Sequence, residues 1–294
     1  MTKRTIHYTA FNIRIHPHKP ASYVDLFHKL FDIKKQIKIR GEQYGIITEI
    51  ENLVEGKPLD GLVGKVAKYT KIEIDKWFDI EKLAPAEESD TKKILIPDNL
   101  RPNFSSFNFI FYPKNHYLII EIKDRHGSIS PKTLETYFRR LLDSKEIESE
   151  FNKVELTLVP KVDQFDKMLS FRKLELLEIT LRRPNTDALD DLQDEVLARL
   201  NEQNAEEEIV TLKAQNGLSI EANQKTIELG RIAAINGEVK SEGYNEMGVK
   251  VKESTKEHPL SDSGSYNTKE KTTRDLLVEM SVKIINKIKK ITKP

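Results

Sequence analysis

The sequence contains no cysteine among its 294 residues. This absence excludes disulfide bonds, thiolate zinc sites and cysteine nucleophiles, so a metal site would have to use histidine and carboxylate side chains. The chain also lacks an apolar run long enough to cross a membrane, which takes about 18 residues, and its first ten residues lack the apolar core of a signal peptide. We therefore expect a cytoplasmic protein with no membrane partner.

The chain has little net charge, with a formal value of +1, although 32% of its residues are charged. The charges are nevertheless segregated. Residues 1–40 carry nine Lys or Arg against two Asp, residues 185–210 carry nine acids against one Arg, and residues 281–294 carry five Lys and no acid. The two ends are positive and the middle is negative, which indicates a polyanionic partner for the ends.

Several motifs of catalysis and of nucleotide or metal binding are missing. The glycine pair at Gly61 and Gly64 lacks the lysine and helix of a phosphate-binding loop. No nucleophile elbow, helix-turn-helix or RNP signature is present. The histidines do not show the helical i,i+4 spacing of a zinc hydrolase, so we interpret them as surface residues beside turns. Six of the seven lie in the first 126 residues: His7, His16, His18, His28, His116 and His126.

The remaining chain is organised around residues 104–142. Ser106–Tyr112 alternates aromatic and smaller residues, and His116–Lys123 is the most apolar β-branched run in the chain. The Pro-Lys-Asn turn between them predicts a β-hairpin. Ser130 then provides an N-cap oxygen and Pro131 fits the first helical position. The helix that follows has one apolar face at spacings of three and four, formed by Leu134, Tyr137, Phe138, Leu141 and Leu142. A helix with such an apolar face is expected to pack on a sheet.

Similar patterns predict further elements on both sides of this segment. Upstream they are a strand over Thr5–Ile15, a helix capped by Ser22, strands over Gln36–Arg40, Tyr44–Leu53, Leu62–Thr70 and Lys71–Trp77, and a surface loop over Ala84–Asp90. Downstream they are strands over Val154–Val159, Leu174–Leu181 and Ile209–Leu212, helices over Asp163–Ser170, from Thr186 or Asp187, and over Asn223–Ile235, and a polar hairpin of Glu238–Tyr244 with Met247–Lys252. Glu253–Asn267 is almost without apolar residues and predicts a long loop.

These elements predict an α+β protein of two lobes, each a mixed or antiparallel sheet with helices packed on one face. We place a strand-rich N-terminal domain at residues 1–160 and a second α+β domain at residues 161–294, which ends in a basic amphipathic helix.

Glu121-Ile122-Lys123, at the end of the most apolar strand, resembles the Glu-x-Lys motif of restriction-endonuclease-like nucleases. That resemblance implies a Mg²⁺ site in which Asp98 and Glu121 hold the metal and Lys123 steadies the attacking water. Asp98 lies upstream of the hairpin, whereas these enzymes usually place the first acid on the strand beside the motif, where this chain offers only Asn108. The Mg²⁺-dependent nuclease is therefore the alternative hypothesis.

The leading hypothesis is a nucleic-acid-binding protein, DNA before RNA, with little sequence specificity, no catalytic residues and no cofactor. Lysine and arginine provide sequence-independent affinity by contacting phosphates. The candidate residues follow the first helix, lie in the central helix, or lie in the last helix: Lys34, Lys35, Lys38, Arg40, Arg139, Arg140, Lys283, Lys287 and Lys290. Ordinary solvated surfaces explain the same residues about as well.

The hairpin FNFIFYPKNHYLIIEI, the helix SPKTLETYFRRLL and the strand NIRIHP resemble an uncharacterised bacterial family with a domain of unknown function. The resemblance covers Thr5 to about Leu181. In layout alone, the late polar hairpin and the lysine-rich last helix are similar to the lambda-phage exclusion protein RexA. That likeness implies a dimer that binds DNA in anti-phage defence, together with further defence-system proteins, and it transfers no catalytic residue.

The last predicted helix, Lys271–Ile291, has a long apolar stripe of Leu276, Leu277, Met280, Ile284, Ile285 and Ile288. The stripe can pack on its own lobe or, because a polar stretch of about fifteen residues precedes it, reach a second subunit. The second option predicts a homodimer with a doubled basic surface.

Overall fold

A computed structural model describes residues 3–16, 19–72, 77–123, 127–184 and 191–292. The strands are β1 (Lys3–Ile15), β2 (Ile37–Arg40), β3 (Gln43–Asn52), β4 (Leu62–Thr70), β5 (Phe78–Asp79), β6 (Ala84–Pro85), β7 (Ser105–Tyr112), β8 (Tyr117–Glu121), β9 (Val154–Leu158), β10 (Lys173–Arg182), β11 (Glu207–Lys213), β12 (Glu238–Tyr244), β13 (Lys250–Ser254) and β14 (Asp262–Asn267). The helices are α1 (Pro20–Asp32), α2 (Glu88–Thr91), α3 (Pro131–Leu142), α4 (Lys145–Phe151), α5 (Gln164–Leu169), α6 (Asp191–Glu202), α7 (Gln224–Asn236) and α8 (Thr273–Thr292).

The strands form an eight-stranded sheet, a four-stranded sheet and a small β5–β6 pair, so the predicted α+β class is confirmed. The larger sheet has the order β14-β1-β8-β7-β4-β3-β2 and curls into a half-barrel. β9 also pairs with β1, beyond the end of β14 and on the same side, because β8 occupies the other side. The smaller sheet has the order β11-β10-β12-β13. Every pairing between described strands is antiparallel.

The β7–β8 hairpin and α3 form as the sequence predicts. The hairpin register pairs Phe109 with Ile120 and Phe111 with Leu118. The Ser130 side chain accepts a hydrogen bond from the Thr133 backbone N–H at 3.1 Å, and Pro131 is the first helical residue. All five residues of the predicted apolar face of α3 are buried. The prediction is accurate because cap, proline and periodicity act within one segment.

One face of the larger sheet carries an aromatic core under α1, α3 and α4. Phe27 of α1 stacks on Phe111 of β7 with ring centroids 4.0 Å apart, and Phe138 of α3 lies 6.0 Å from Phe11 of β1. Aromatic side chains of this size bury large apolar areas, so this core is expected to contribute most of the stability of the sheet.

The opposite face of the larger sheet is covered by α8 and by the end of α7. The six stripe residues of α8 are all buried, and Ile284 and Ile288 have no exposed surface. The stripe therefore packs within its own chain, and it is not an open surface for a second subunit. The homodimer itself stays a prediction. The larger sheet has helices on both faces because its strands carry apolar side chains on both faces.

The smaller sheet packs against α5, α6 and α7 around Phe165, Leu177, Ile179, Val196 and Ile232. α7 also contributes Ala234 and Ile235 to the core beneath α8. This helix therefore belongs to both cores and joins the two sheets. The predicted domain boundary at residue 160 stays a prediction; β14 and α8 of the C-terminal half complete the larger sheet and its second core.

A buried arginine connects the larger sheet to α7 and β10. Arg14 of β1 has no exposed surface and lies 2.9 Å from a carboxylate oxygen of Glu155 on β9. Its guanidinium also donates to the Thr157 hydroxyl at 3.0 Å and to the backbone carbonyls of Asn236 at 2.6 Å and Arg183 at 3.0 Å. Burial lowers the pKa of Arg14, and Glu155 opposes that shift.

Some predictions of local structure are wrong. α1 begins at Pro20 after Lys19, not at a Ser22 cap, because proline already fits the first helical turn. The predicted loop Glu253–Asn267 is shortened to residues 255–261, since β13 extends to Ser254 and β14 forms at Asp262–Asn267 by pairing with β1. Ala84–Asp90 contains β6 and the start of α2. The proposed caps Thr186 and Asp187, and most of the predicted strand Lys71–Trp77, lie outside the described residues.

Helices of the described part of the chain are all too short or too polar to cross a membrane.

Candidate functional site

Five of the predicted phosphate-binding residues lie in three neighbouring segments at the β2 edge of the larger sheet. These segments are the turn after α1, β2 itself and α3, and we call the five residues the basic edge: Lys34, Lys35, Lys38, Arg40 and Arg140. Arg140 joins α3 to the strand, because its guanidinium donates to the backbone carbonyl of Lys38 at 2.5 Å. All five side chains are exposed or half-buried, so a ligand can reach them.

Acidic neighbours neutralise part of the basic edge. Lys35 pairs with Glu146 at 2.6 Å, and Lys38 pairs with Glu42 at 2.9 Å. The Lys35 ammonium holds the pKa of Glu146 below its ordinary value. Among the described residues, neither Lys34 nor Arg40 has an ion-pair partner. Lys34 has a positive φ of 45°, which turns the chain sharply from α1 toward β2.

Two stacked tyrosines lie beside the basic edge, and sequence reasoning missed them. Tyr44 of β3 and Tyr69 of β4 are register partners, with ring centroids 6.3 Å apart and planes inclined by 12°. The Lys38 ammonium lies 5.9 Å from the centroid of the Tyr44 ring. The only sequence signal is that both tyrosines fall in alternating strands; their contact depends on the register between β3 and β4.

The other predicted phosphate-binding residues lie elsewhere. Arg139 points toward β9, where it bonds to the Leu156 carbonyl at 3.1 Å and pairs with Glu135 at 2.7 Å. Lys283, Lys287 and Lys290 lie on α8, which covers the opposite face of the sheet. Lys283 pairs with Glu279 at 3.0 Å, and Lys287 pairs with Asp262. The structure therefore divides the predicted set among the basic edge, α8 and the position of Arg139 beside β9.

Glu121, the central residue of the alternative hypothesis, belongs to a line of polar side chains across six neighbouring strands. Successive register pairs and one side-chain hydrogen bond connect its members, which we call the polar row: Glu49, Lys65, Asn108, Glu121, Tyr8 and Asp262. Lys65 pairs with Glu49 at 2.5 Å, and the Asn108 amide donates to Glu121 at 2.8 Å. The row lies on the α8 face, since residues two positions away along the same strands contact α8.

Burial and neighbouring charges shift the pKa values of two members of the polar row, Tyr8 and Asp262. Glu121 and Tyr8 are almost completely inaccessible to solvent. Burial raises the pKa of the Tyr8 phenol, and the Asp262 carboxylate adds to that shift. Burial would raise the pKa of Asp262, but the hydrogen bond from Lys287 keeps it below its ordinary value. The row therefore contains one internal ion pair, Lys65 with Glu49, at its accessible end, and two buried polar side chains, Glu121 and Tyr8, near its other end.

A cavity of about 160 Å³ opens where the polar row meets the start of α8. Glu49, Lys65 and Asn108 line it on the sheet side, and Arg274 and Leu277 line it on the helix side. Arg274 also pairs with Glu51 at 3.3 Å. Each cation at the cavity thus already has a carboxylate partner.

The structure does not bring Asp98 to Glu121. Asp98 is exposed in a turn beside Lys71 and Arg101, near the end of β4. Lys65 of β4 lies level with Glu121 in the sheet. The end of β4 is five residues further on, which is about 17 Å along an extended strand. Lys123 is exposed, and its backbone forms a bridge with Ser128. Among the described residues, no group of three or more His, Asp or Glu side chains is placed to hold a metal ion.

The histidines are not gathered at either surface. His7, His16 and His28 lie on separate parts of β1 and α1, whereas His18 and His126 lie outside the described residues. His116, expected at the surface, is only 4% exposed, and its ring lies 4.7 Å from that of Tyr23. The residue occupies the hairpin turn with φ of 62°, and α1 covers it.

The geometry predicts a structural role for Glu121. Replacing it by alanine is expected to lower the free energy of unfolding by about 1–3 kcal/mol, because the half-buried amide of Asn108 loses its acceptor. Urea denaturation measures the loss. Lys123→Ala is the control, with an expected change within about 0.5 kcal/mol because its side chain is exposed. A Glu121→Ala protein of unchanged stability that no longer cuts plasmid DNA with Mg²⁺ would instead support the nuclease.

The comparison with known families and proteins gives one match. A family model, described as a domain of unknown function and designated DUF4747, matches residues 4–282. The match is longer than the predicted resemblance, which ended near Leu181. No curated protein matches the chain.

Proposed function

The chain belongs to the DUF4747 family, and from that premise we propose that it binds nucleic acid without strong sequence preference through the basic edge. The observation that carries this proposal is that five accessible cations lie in the turn after α1, on β2 and on α3, with Arg140 bonded to the backbone of β2. Glu146 and Glu42 pair with two of the five, Lys35 and Lys38.

Lys34 and Arg40 are the residues expected to contact phosphates most strongly. Neither has to give up a carboxylate partner from the described chain, whereas Lys35 and Lys38 must exchange an existing ion pair for a phosphate. An ammonium or guanidinium that binds phosphate releases condensed counterions, and this release makes affinity steeply dependent on salt. Arg140 donates to the Lys38 carbonyl, so its guanidinium is held against the backbone of β2.

The tyrosine pair supports a ligand with accessible bases. Aromatic rings beside cationic groups are typical of single-strand binding, because every base has a face that stacks on an aromatic ring. Tyr44 is half-buried and is the more accessible of the two rings. Its position beside Lys38 would place a stacked base next to a bound phosphate.

The test compares two pairs of lysine and arginine substitutions on the same chain. Lys34→Ala combined with Arg40→Ala is expected to weaken binding to a labelled oligonucleotide by roughly tenfold, or ~1.4 kcal/mol. The slope of log affinity against log salt should fall by about 1.4 to 1.8, the contribution of two phosphate contacts. Fluorescence anisotropy between about 50 and 200 mM salt measures both quantities.

The matched control is Lys283→Ala combined with Lys290→Ala, which removes the same number of charges from α8. It should leave affinity nearly unchanged. Equal losses from both pairs would show that binding follows overall charge and not the basic edge, and a chain that binds no oligonucleotide at low salt would end the proposal.

The likeness in layout to RexA extends the proposal to anti-phage defence. It rests on the order of elements alone. A plaque assay with bacteria that express the chain or its Lys34→Ala, Arg40→Ala variant tests this role, since a defence that depends on the basic edge should be lost in the variant.

A further inference from the structure

The two edges of the larger sheet are built differently. At one edge, β2 has only four residues, a register shift between Lys38 and Arg40, and two cationic side chains. The Lys38 carbonyl already accepts a hydrogen bond from Arg140. Short length, an irregularity, charge and an occupied carbonyl are devices that prevent an edge from pairing with another strand.

The other edge, β14, has no irregularity and no cationic side chain, and its charged residue and its occupied carbonyl lie at its two ends. Its six residues, DSGSYN, contain no lysine, arginine or proline, and all six pair with β1 in a regular register. In the described part of the chain, β1 is its only strand partner. A regular edge of this kind is a template for a further strand.

Hydrogen bonds of β1 establish which backbone groups of β14 point outward. The His7 carbonyl accepts from Ile122 on the β8 side, and the Ala10 carbonyl accepts from Val159 on the opposite side. The backbone N–H and C=O groups of odd-numbered residues in this part of β1 therefore point toward β8, and those of even-numbered residues point toward β14. Ile6 pairs with Gly264, so the Gly264 groups point inward and those of the neighbouring residue Ser265 point away from the sheet.

Local contacts use some of the outward groups at the ends of β14. The Ser263 N–H donates to the Asp262 carboxylate at 2.8 Å, and the Asn267 carbonyl accepts from Glu270 and Lys271. Ser265, at the centre of the outer edge, is exposed, and none of the described groups bonds to its backbone N–H or carbonyl. An incoming strand would make its principal pair of hydrogen bonds there.

A groove of about 440 Å³ runs beside this edge, between β14 and α8. Leu276 and Met280 contribute apolar surface. Lys271 and Lys283 both pair with Glu279, at 2.7 and 3.0 Å, so two ammonium groups share one carboxylate. The other acid of the groove, Glu270, accepts a hydrogen bond from the Asn267 amide. The Lys271 and Lys283 side chains are each about half exposed, so a ligand can reach both ammonium groups.

We propose that β14 binds an extended peptide of a partner protein as an added antiparallel strand, with an acidic residue between small apolar residues on the side that faces α8. Main-chain bonds to Ser265 provide affinity, and the shared lysines select the acidic residue, as in other cases of strand addition. The opposite side of the peptide lies over the exposed hydroxyls of Ser263 and Ser265, which suit threonine. This proposal is independent of nucleic-acid binding.

The probe is a labelled synthetic peptide, acetyl-Thr-Val-Thr-Glu-Thr-Val-Thr-amide, whose Val and Glu side chains share one face of a strand. Ser265→Pro removes the outward N–H and the hydroxyl that bonds to Thr5, but it leaves the main-chain bonds to β1 in place, because proline is tolerated where an edge N–H faces solvent. It is expected to weaken peptide binding about tenfold or more, whereas Ser265→Ala, which keeps the N–H, should stay within about twofold. A peptide with Lys in place of Glu should bind more weakly than the original.

Absence of binding to the full chain at about 1 mM peptide would overturn the proposal, because that is the weak limit for a specific site. Binding that Ser265→Pro leaves unchanged would also overturn it. If the proline variant does not fold, amide hydrogen exchange of the unmodified chain decides, since the Ser265 N–H should become protected when peptide is added. Concentration-dependent dimerisation that Ser265→Pro abolishes would assign the edge to a second copy of the chain and not to a partner peptide.

Discussion

Replacing Arg14 by methionine is expected to lower the free energy of unfolding by about 3–5 kcal/mol, which is a large part of the total for an ordinary domain. The substitution leaves the Glu155 carboxylate, only 9% exposed, without its 2.9 Å partner. It also removes the donors to the carbonyls of Asn236 and Arg183, which connect the larger sheet to α7 and β10. Chemical denaturation followed by circular dichroism measures the change.

A second substitution separates the lost ion pair from the lost packing. In the double variant Arg14→Met, Glu155→Leu, both buried charges are gone, so much of the stability should return. If the single and double variants are equally unstable, the hydrogen bonds to α7 and β10 matter more than the pair with Glu155. A single variant that is as stable as the original chain would contradict the role of Arg14 altogether.

A charge placed on the buried side of α8 should lower the free energy of unfolding even more than Arg14→Met does. Ile284 has no exposed surface in the core between α8 and the sheet, so Ile284→Asp is expected to abolish cooperative folding. An isolated carboxylate buried without a partner costs several kcal/mol in addition to the lost apolar contacts, which approaches the whole stability of a domain. Val282→Asp is the matched control on the same helix, because Val282 is 52% exposed. A thermal melt of both variants measures the difference.

A chain that ends at Lys269 extends this test to the whole helix. Burial of a single large apolar side chain contributes about 1.5–3 kcal/mol, and α8 buries seven of them: Leu276, Leu277, Met280, Ile284, Ile285, Ile288 and Ile291. The shortened chain is therefore expected to unfold or aggregate by light scattering. A folded, soluble product would show that α8 is dispensable, contrary to its position in the core.

The sequence determined those elements whose signals are local. α3 is the clearest case: the Ser130 cap, Pro131 and the spacing of Leu134, Tyr137 and Phe138 fix its start and its buried face without reference to any other segment. The β7–β8 hairpin and the buried stripe of α8 follow in the same way, since periodicity alone selects which side chains leave water. Lys38 and Arg40 were also identified correctly as exposed residues of a strand.

The tertiary structure decided everything that depends on which strands are neighbours. β14 has too few apolar residues to be predicted as a strand, and it forms because β1 supplies hydrogen-bond partners from more than 250 positions away. Register placed Glu121 opposite Asn108 and Tyr8, far from Asp98, and it stacked Tyr44 on Tyr69. It also separated Lys38 and Arg140 from the lysines of α8, because helices cover both faces of the sheet. Strand pairing is made by backbone groups that all residues share, so the side-chain pattern of one segment carries almost no information about its partner.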